Sequence, residues 1–162
     1  MTRLKDFIQE KFNSQPGVIA VVLDRDILLQ KVNSIQNCLK TIRKATEHKL
    51  ENLNNQIVQD AVVLNIQRAV QLCVDMASYM INKLHWGLAA SLRELFVILQ
   101  QNEVIDEKLT EKMIKMVGFR NIALHEYQKL NLEILKKIIV DHLSDFDEFY
   151  EAVLKYCERV EK

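Results

Sequence analysis

Residues 109–127, LTEKMIKMVGFRNIALHEY, decide how this chain reads, because an apolar helical stripe runs there into a cluster of residues suited to chemistry. Leu109, Met113, Met116 and Val117 recur at i, i+4, i+7 and i+8, the spacing of one buried helix face. Continued, the stripe lands on Arg120, Leu124 and Tyr127. A guanidinium on a core-facing position loses its hydration unless hydrogen bonds replace it, so an acidic group or an anionic ligand is expected beside Arg120. At roughly 100° per residue, Arg120 and Tyr127 stand nearly above one another, while Asn121 and His125, four apart, share an adjoining face. Arg120 and His125 are then about 140° apart by the same arithmetic. One straight helix cannot aim both at a single small group. Either the helix breaks near Gly118 or His125, or two copies of it meet. A buried Arg paired with a core carboxylate, beside a His that is simply satisfied, fits the spacing equally well.

The rest of the chain sets the frame for that stretch. Its 162 residues are the length of one domain able to bury a real core, and 49% hydrophobic against 27% charged residues is a globular balance. Three Gly and one Pro leave few turns, which strands need and long helices do not, so the fold class is all-α. Lys plus Arg equals Asp plus Glu at 22 each, so any anion site must be local. Cys38, Cys73 and Cys157 are widely separated and odd in number, as buried thiols in a reducing compartment are, and His48, His85 and His142 show no ligand spacing. No metal and no cofactor is expected. No apolar run approaches the roughly 20 residues of a membrane helix, so no membrane partner is expected and the cytoplasm is the default.

Residues 1–23 look unlike the remainder and read as an N-terminal extension, with the helical domain at 24–162. Asp24 or Asp26 caps a first helix carrying Leu28, Val32, Ile35, Leu39 and Ile42, which ends among residues 46–49. A second runs from near Asn54 to about Lys83 with so broad an apolar band, Ile57, Ala61 and Leu64 included, that it reads as central and buried. Asn65, Arg68 and Asp75 share one face of it, either as a polar strip facing Arg120 or as an internal salt-bridge network. Residues 84–90 form an irregular connection, Ser91 and Glu94 a capping box, and a short third helix reaches Gln101. Asp106 caps the fourth helix, which carries the motif. Asn131 caps the fifth, with a stripe of Leu135, Ile138, Ile139, His142, Phe146, Phe149, Val153 and Cys157 on which His142 reads as a packed core or interface residue.

The motif, Arg120-Asn121, three apolar residues, then His125-Glu126-Tyr127, resembles the Arg, four residues, His, one residue, Tyr signature of HEPN ribonuclease toxins of the HepT family. Residues 59–77 (QDAVVLNIQRAVQLCVDMA), 115–131 (KMVGFRNIALHEYQKLN) and 142–149 (HLSDFDEF) are similar to the corresponding helices of that family, so the resemblance covers roughly residues 24–160. Residues 85–90, HWGLAA, depart from it in lacking a proline.

The resemblance implies a HEPN-type bundle of about five helices that forms a homodimer, with two motifs facing each other across one cleft and a metal-independent RNase activity. It implies RNA as substrate, tRNA or mRNA, and as partner a cognate MntA-like nucleotidyltransferase antitoxin that transfers AMP to Tyr127. The residue types suit the chemistry. Metal-free RNA cleavage needs a base for the ribose 2′-OH and a cation for charge gathering on phosphate. His, with an ordinary pKa of about 6.5, suits the first at His125, and the planar fork of Arg120 suits the second. Asn121 orients the phosphate or His125, and Lys112, Lys115, Lys129, Lys136 and Lys137 offer a basic rim. Two other classes compete with this endoribonuclease: a non-catalytic nucleotide-binding subunit of a nucleotidyltransferase, and a structural bundle that merely dimerises.

Overall fold

A computed structural model describes residues 23–125 and 131–161. The extension expected over residues 1–23, save Leu23, and with it Tyr127 and Lys129, lie outside the described residues. Those described fold as α1 (Arg25–Thr46), a 3-10 turn (Leu50–Asn54), α2 (Gln56–Lys83), α3 (Leu92–Gln101), α4 (Glu107–His125), α5 (Leu132–Lys137), a π turn (Ile138–His142) and α6 (Leu143–Glu161). The π turn joins α5 to α6 as one rod, so five rods make the all-α bundle anticipated from the sequence.

Local chemistry starts each rod where the sequence indicates. The Asp24 carboxylate accepts from the Asp26 N–H at 2.9 Å, the Asn55 side chain from Ile57 at 2.8 Å, and Asn131 from Glu133 at 2.8 Å. Each such cap is worth about 1 kcal/mol. The box at α3 is skewed. Ser91 Oγ accepts from Glu94 N at 3.2 Å, but Glu94 Oε2 takes the N–H of Ala90, at 2.6 Å, one residue earlier than the reciprocal bond of a regular box. The connection without proline turns through left-handed His85 (φ 55°) and Gly87 (φ 105°), and Trp86 then meets the Tyr156 ring edge-on at 5.8 Å.

The core is the inner face of α2 (Val62, Ile66, Val70, Cys73, Met80) closed by α1 (Leu28, Ile35, Ile42) and by the pair Phe96 and Phe149, edge-to-face at 5.6 Å. By length and composition α2 could cross a bilayer, contrary to the sequence expectation, but here it is the bundle's central helix. Its band is not buried all round: Ile57 is 79% exposed and Leu64 44%. The stripe of the fifth rod also differs from a regular helix. The π turn inserts an extra residue into the register, so Leu143 takes the buried place and His142 moves to the half-buried edge.

Candidate active site

Asp106 sets the direction of α4. Its carboxylate accepts from Leu109 N at 2.8 Å and its carbonyl from Thr110 Oγ1 at 2.7 Å, and Leu109, Met113, Met116 and Val117 then enter the core as their spacing requires. Beyond Val117 the buried face drifts to Phe119 and Ala123, leaving Leu124 48% exposed and Ile122 42%. The stripe therefore does not pass through Leu124, as the sequence reading has it. Arg120 sits half-buried at its edge. Nor does the helix break at Gly118, which is exposed with nothing within 4 Å of where a Cβ would stand. α4 continues unbroken to His125.

Among the described residues the group bonded to Arg120 is a neutral amide, not the core carboxylate that is one of the alternatives from the sequence. Arg120 Nη2 donates to the neutral Gln71 Oε1 at 2.6 Å, and Gln71 Nε2 donates to Asp75 Oδ1 at 2.8 Å, a relay from α2 to α4. Among the described residues no carboxylate pairs with the guanidinium, while the orientation of the fork is fixed by a strong, charge-assisted bond. Of the five N–H donors of a guanidinium, this bond uses one.

The polar strip on α2 is thus assembled differently from expectation. Asp75 belongs to the relay through Gln71, which the sequence reading passed over. Asn65 instead turns its amide onto its own helix, donating to Ala61 O at 2.8 Å, and Arg68 is exposed. Among the described residues no ion pair links the three, so the salt-bridge network is not formed. Gln71 had a signal available: it stands four before Asp75, and an amide and a carboxylate at i, i+4 bond along a helix.

Asn121 is exposed on α4, and His125 is the last described residue of that helix, with its side chain outside the description. The basic rim is smaller than expected. Lys112 is held by Glu148 at 3.2 Å and Asp145 at 3.7 Å, and the hydrogen bond it donates to Glu148 leads in raising its pKa above the ordinary lysine value. Lys136 pairs with Glu133 at 3.4 Å. Lys115 and Lys137 remain exposed at the mouth of a cavity of about 240 Å³ floored by Met116, Phe119 and Ile138. His142 stands at the same cavity with Nδ1 2.9 Å from the buried Asp145 carboxylate, half-buried at the edge, so of the core and interface positions expected for it the core one is not taken.

Comparison with known proteins agrees with this architecture. The family model described as ribonuclease HepT-like matches residues 35–153. The mRNA nuclease HepT of Shewanella oneidensis is 36% identical over 128 residues, 79% of this chain and 96% of that protein. A structure of the tri-AMPylated Shewanella oneidensis HEPN toxin in complex with MNT antitoxin superposes with a TM-score of 0.77 at 35% identity, covering 82% of this chain and 99% of the toxin. A crystal structure of a toxin–antitoxin with AMP-PNP gives the same TM-score at 34% identity over 81% and 99% of the two chains. With a family model spanning most of its length and so similar a relative, the chain belongs to the ribonuclease HepT-like family.

Proposed function

We propose that this chain is an endoribonuclease toxin of a HepT/MntA-type toxin–antitoxin pair, cutting RNA without a metal at a site composed by two copies. The observation that carries this reading is the Arg120 fork, half-buried, oriented by the neutral amide of Gln71 and without a carboxylate partner among the described residues. A structural arginine would sit on a carboxylate. One kept on an amide is poised for an anion that comes and goes.

His125 takes the proton of a ribose 2′-OH, the 2′-oxygen attacks the adjacent phosphorus, and the bond to the 5′-oxygen breaks as that oxygen regains a proton. Arg120 holds the negative charge that builds on the non-bridging oxygens, and Asn121 positions the phosphate or the imidazole. Because α4 is continuous to His125, the separation of about 140° between Arg120 and His125 stands. A two-fold dimer resolves it by pairing the arginine of one copy with the histidine of the other. Exposed apolar side chains, Ile122 and Leu124 on α4 and Ile57 and Leu64 on α2, supply surface for that contact.

The partner is a nucleotidyltransferase antitoxin that transfers AMP to Tyr127, seven residues after Arg120. A phosphate there takes up the donors meant for RNA, and the nucleoside excludes substrate by volume. The compartment is the cytoplasm, in keeping with three buried free thiols. The test is RNA cleavage by the purified chain in excess chelator, with His125→Ala alongside. Cleavage lost in the variant and indifferent to chelator supports the reading. RNA bound but uncut by the parent chain returns the protein to the class of binding modules.

A further inference from the structure

The chain carries no net charge, yet one corner of the bundle is strongly basic. The last turns of α1 and the turn after it present Lys40, Arg43, Lys44, His48 and Lys49, all exposed. They border two hollows that share Arg43 and His48. One, of about 430 Å³, lies against Ile139 and Val140 of the π turn, and the other, of about 540 Å³, is bordered by Lys40, Lys44 and Glu47. Among the described residues, none of the Lys40, Arg43, Lys44 and Lys49 side chains is in an ion pair. Glu47 is the one acid bordering either hollow.

Helix termination explains part of this corner. Arg43 and Lys44 lie in the last turn of α1, where cations favour the helix dipole. The dipole does not require Lys40, a turn earlier, or His48 and Lys49 beyond the end. The chain leaves the helix through two left-handed residues, Glu47 (φ 50°) and His48 (φ 60°), with no glycine at either place. The His48 N–H returns to Arg43 O at 3.4 Å and the Glu47 N–H to Lys44 O at 3.2 Å, so both left-handed residues belong to the end of the helix. Their effect is to place His48 at the border of both hollows.

We infer that this corner docks the phosphate backbone of RNA away from the cut. The inference rests on the ribonuclease reading and adds to it a substrate-holding surface distinct from Arg120. Four cations, Lys40, Arg43, Lys44 and Lys49, against the single acid Glu47 along one helix end match a strand of phosphates. Lys40 and Lys44 rise about 6 Å apart along α1. Among the described residues no Phe, Tyr or Trp borders either hollow, so these offer neither a platform for stacked bases nor the aromatic anchors of a protein interface. What it holds is therefore backbone, without sequence preference.

The experiment measures binding of a single-stranded RNA against salt concentration, using the full chain with His125→Ala so that nothing is cut. It is repeated with Lys40→Gln, Lys44→Gln and Lys49→Gln added, three exposed positions where folding is undisturbed. Three lost phosphate contacts lower the slope of log affinity against log salt by about 2, with roughly tenfold or greater weakening at low salt, whereas Lys83→Gln with Lys155→Gln leaves the slope unchanged. An unchanged slope in the triple variant, in a protein whose parent chain cuts RNA, overturns the docking surface and spares the nuclease. So does a triple variant that binds RNA normally but no longer binds the nucleotidyltransferase, since the corner then serves a protein. A parent chain that neither binds nor cuts RNA overturns both.

Discussion

Arg120 on α4 and Gln71 on α2 are joined at 2.6 Å by a bond from a charged donor to a neutral acceptor, and Gln71 is itself steadied at 2.8 Å by Asp75. The amide orients the guanidinium without neutralising it. Gln71→Ala frees the fork and is expected to lower kcat about tenfold, in the range a lost charge-assisted hydrogen bond produces. Gln71→Glu keeps the geometry but supplies a permanent anion that competes with phosphate, so its KM for RNA rises more than that of Gln71→Ala. Steady-state cleavage by both variants decides. A Gln71→Glu enzyme as good as the parent contradicts the role given to the amide.

Leu64 is 44% exposed on the second helix and has no place in the core of one chain. The proposed two-fold contact would cover it. Leu64→Glu is expected to leave the helical circular-dichroism signal intact, to shift the light-scattering mass to that of a monomer, and to lower RNA cleavage at least tenfold, since an uncompensated charge is costly to bury. A Leu64→Glu dimer of undiminished activity would place the contact elsewhere.

Tyr127 with its neighbour in function, a nucleotidyltransferase, gives the third expectation. Incubated with the cognate enzyme and ATP, the chain gains AMP on Tyr127, found by mass spectrometry, and loses RNase activity in step. Tyr127→Phe stays active beside the antitoxin. Modified protein that still cuts RNA undiminished removes this switch.

Stability should respond to alkali before the core does. Tyr150 is pushed up from the usual tyrosine pKa of 10.0, first by burial, with its hydrogen bond to Asp147 at 2.7 Å adding to the shift while Gln36 opposes it. Its proton is held more tightly folded than unfolded. Its contribution is thus complete below pH 10 and lost as pH climbs through the raised folded value. The raised Lys112 acts in the same direction above its ordinary 10.5. Tyr150→Phe therefore costs about 1 kcal/mol at neutral pH, and urea denaturation should show the gap to the parent narrowing above pH 10. A gap that widens there contradicts the assignment. Cys73, fully buried with its pKa driven up by desolvation, stays unalkylated in the folded chain throughout the neutral range.

Much of this fold was legible because its signals are local. Asp24, Ser91, Asp106 and Asn131 each cap the helix they were expected to cap, and Leu109 through Val117 are buried at their predicted spacing. The site was legible in residue type and less so in partners. Arg120 bonds to a residue 49 positions away, and no periodicity selects Gln71 over a carboxylate. The π turn escaped for a similar reason: one extra residue in a rod of regular apolar spacing changes which of His142 and Leu143 is buried without changing composition. Ile57 and Leu64 read as core because apolar residues at helical spacing look alike in sequence whether or not the chain covers them, and here both are exposed.

The composite site is tested most directly by mixing two dead enzymes. Arg120→Ala and His125→Ala chains, co-expressed with different tags and purified as the mixed dimer in excess chelator, hold one cleft with both side chains intact if each cleft draws its arginine and histidine from opposite copies. The predicted result is RNA cleavage restored to about half that of the parent dimer, one of two symmetric clefts, while each variant alone stays inactive. A mixed dimer as inactive as its parents, or one that cuts only when a divalent ion is returned, contradicts the account.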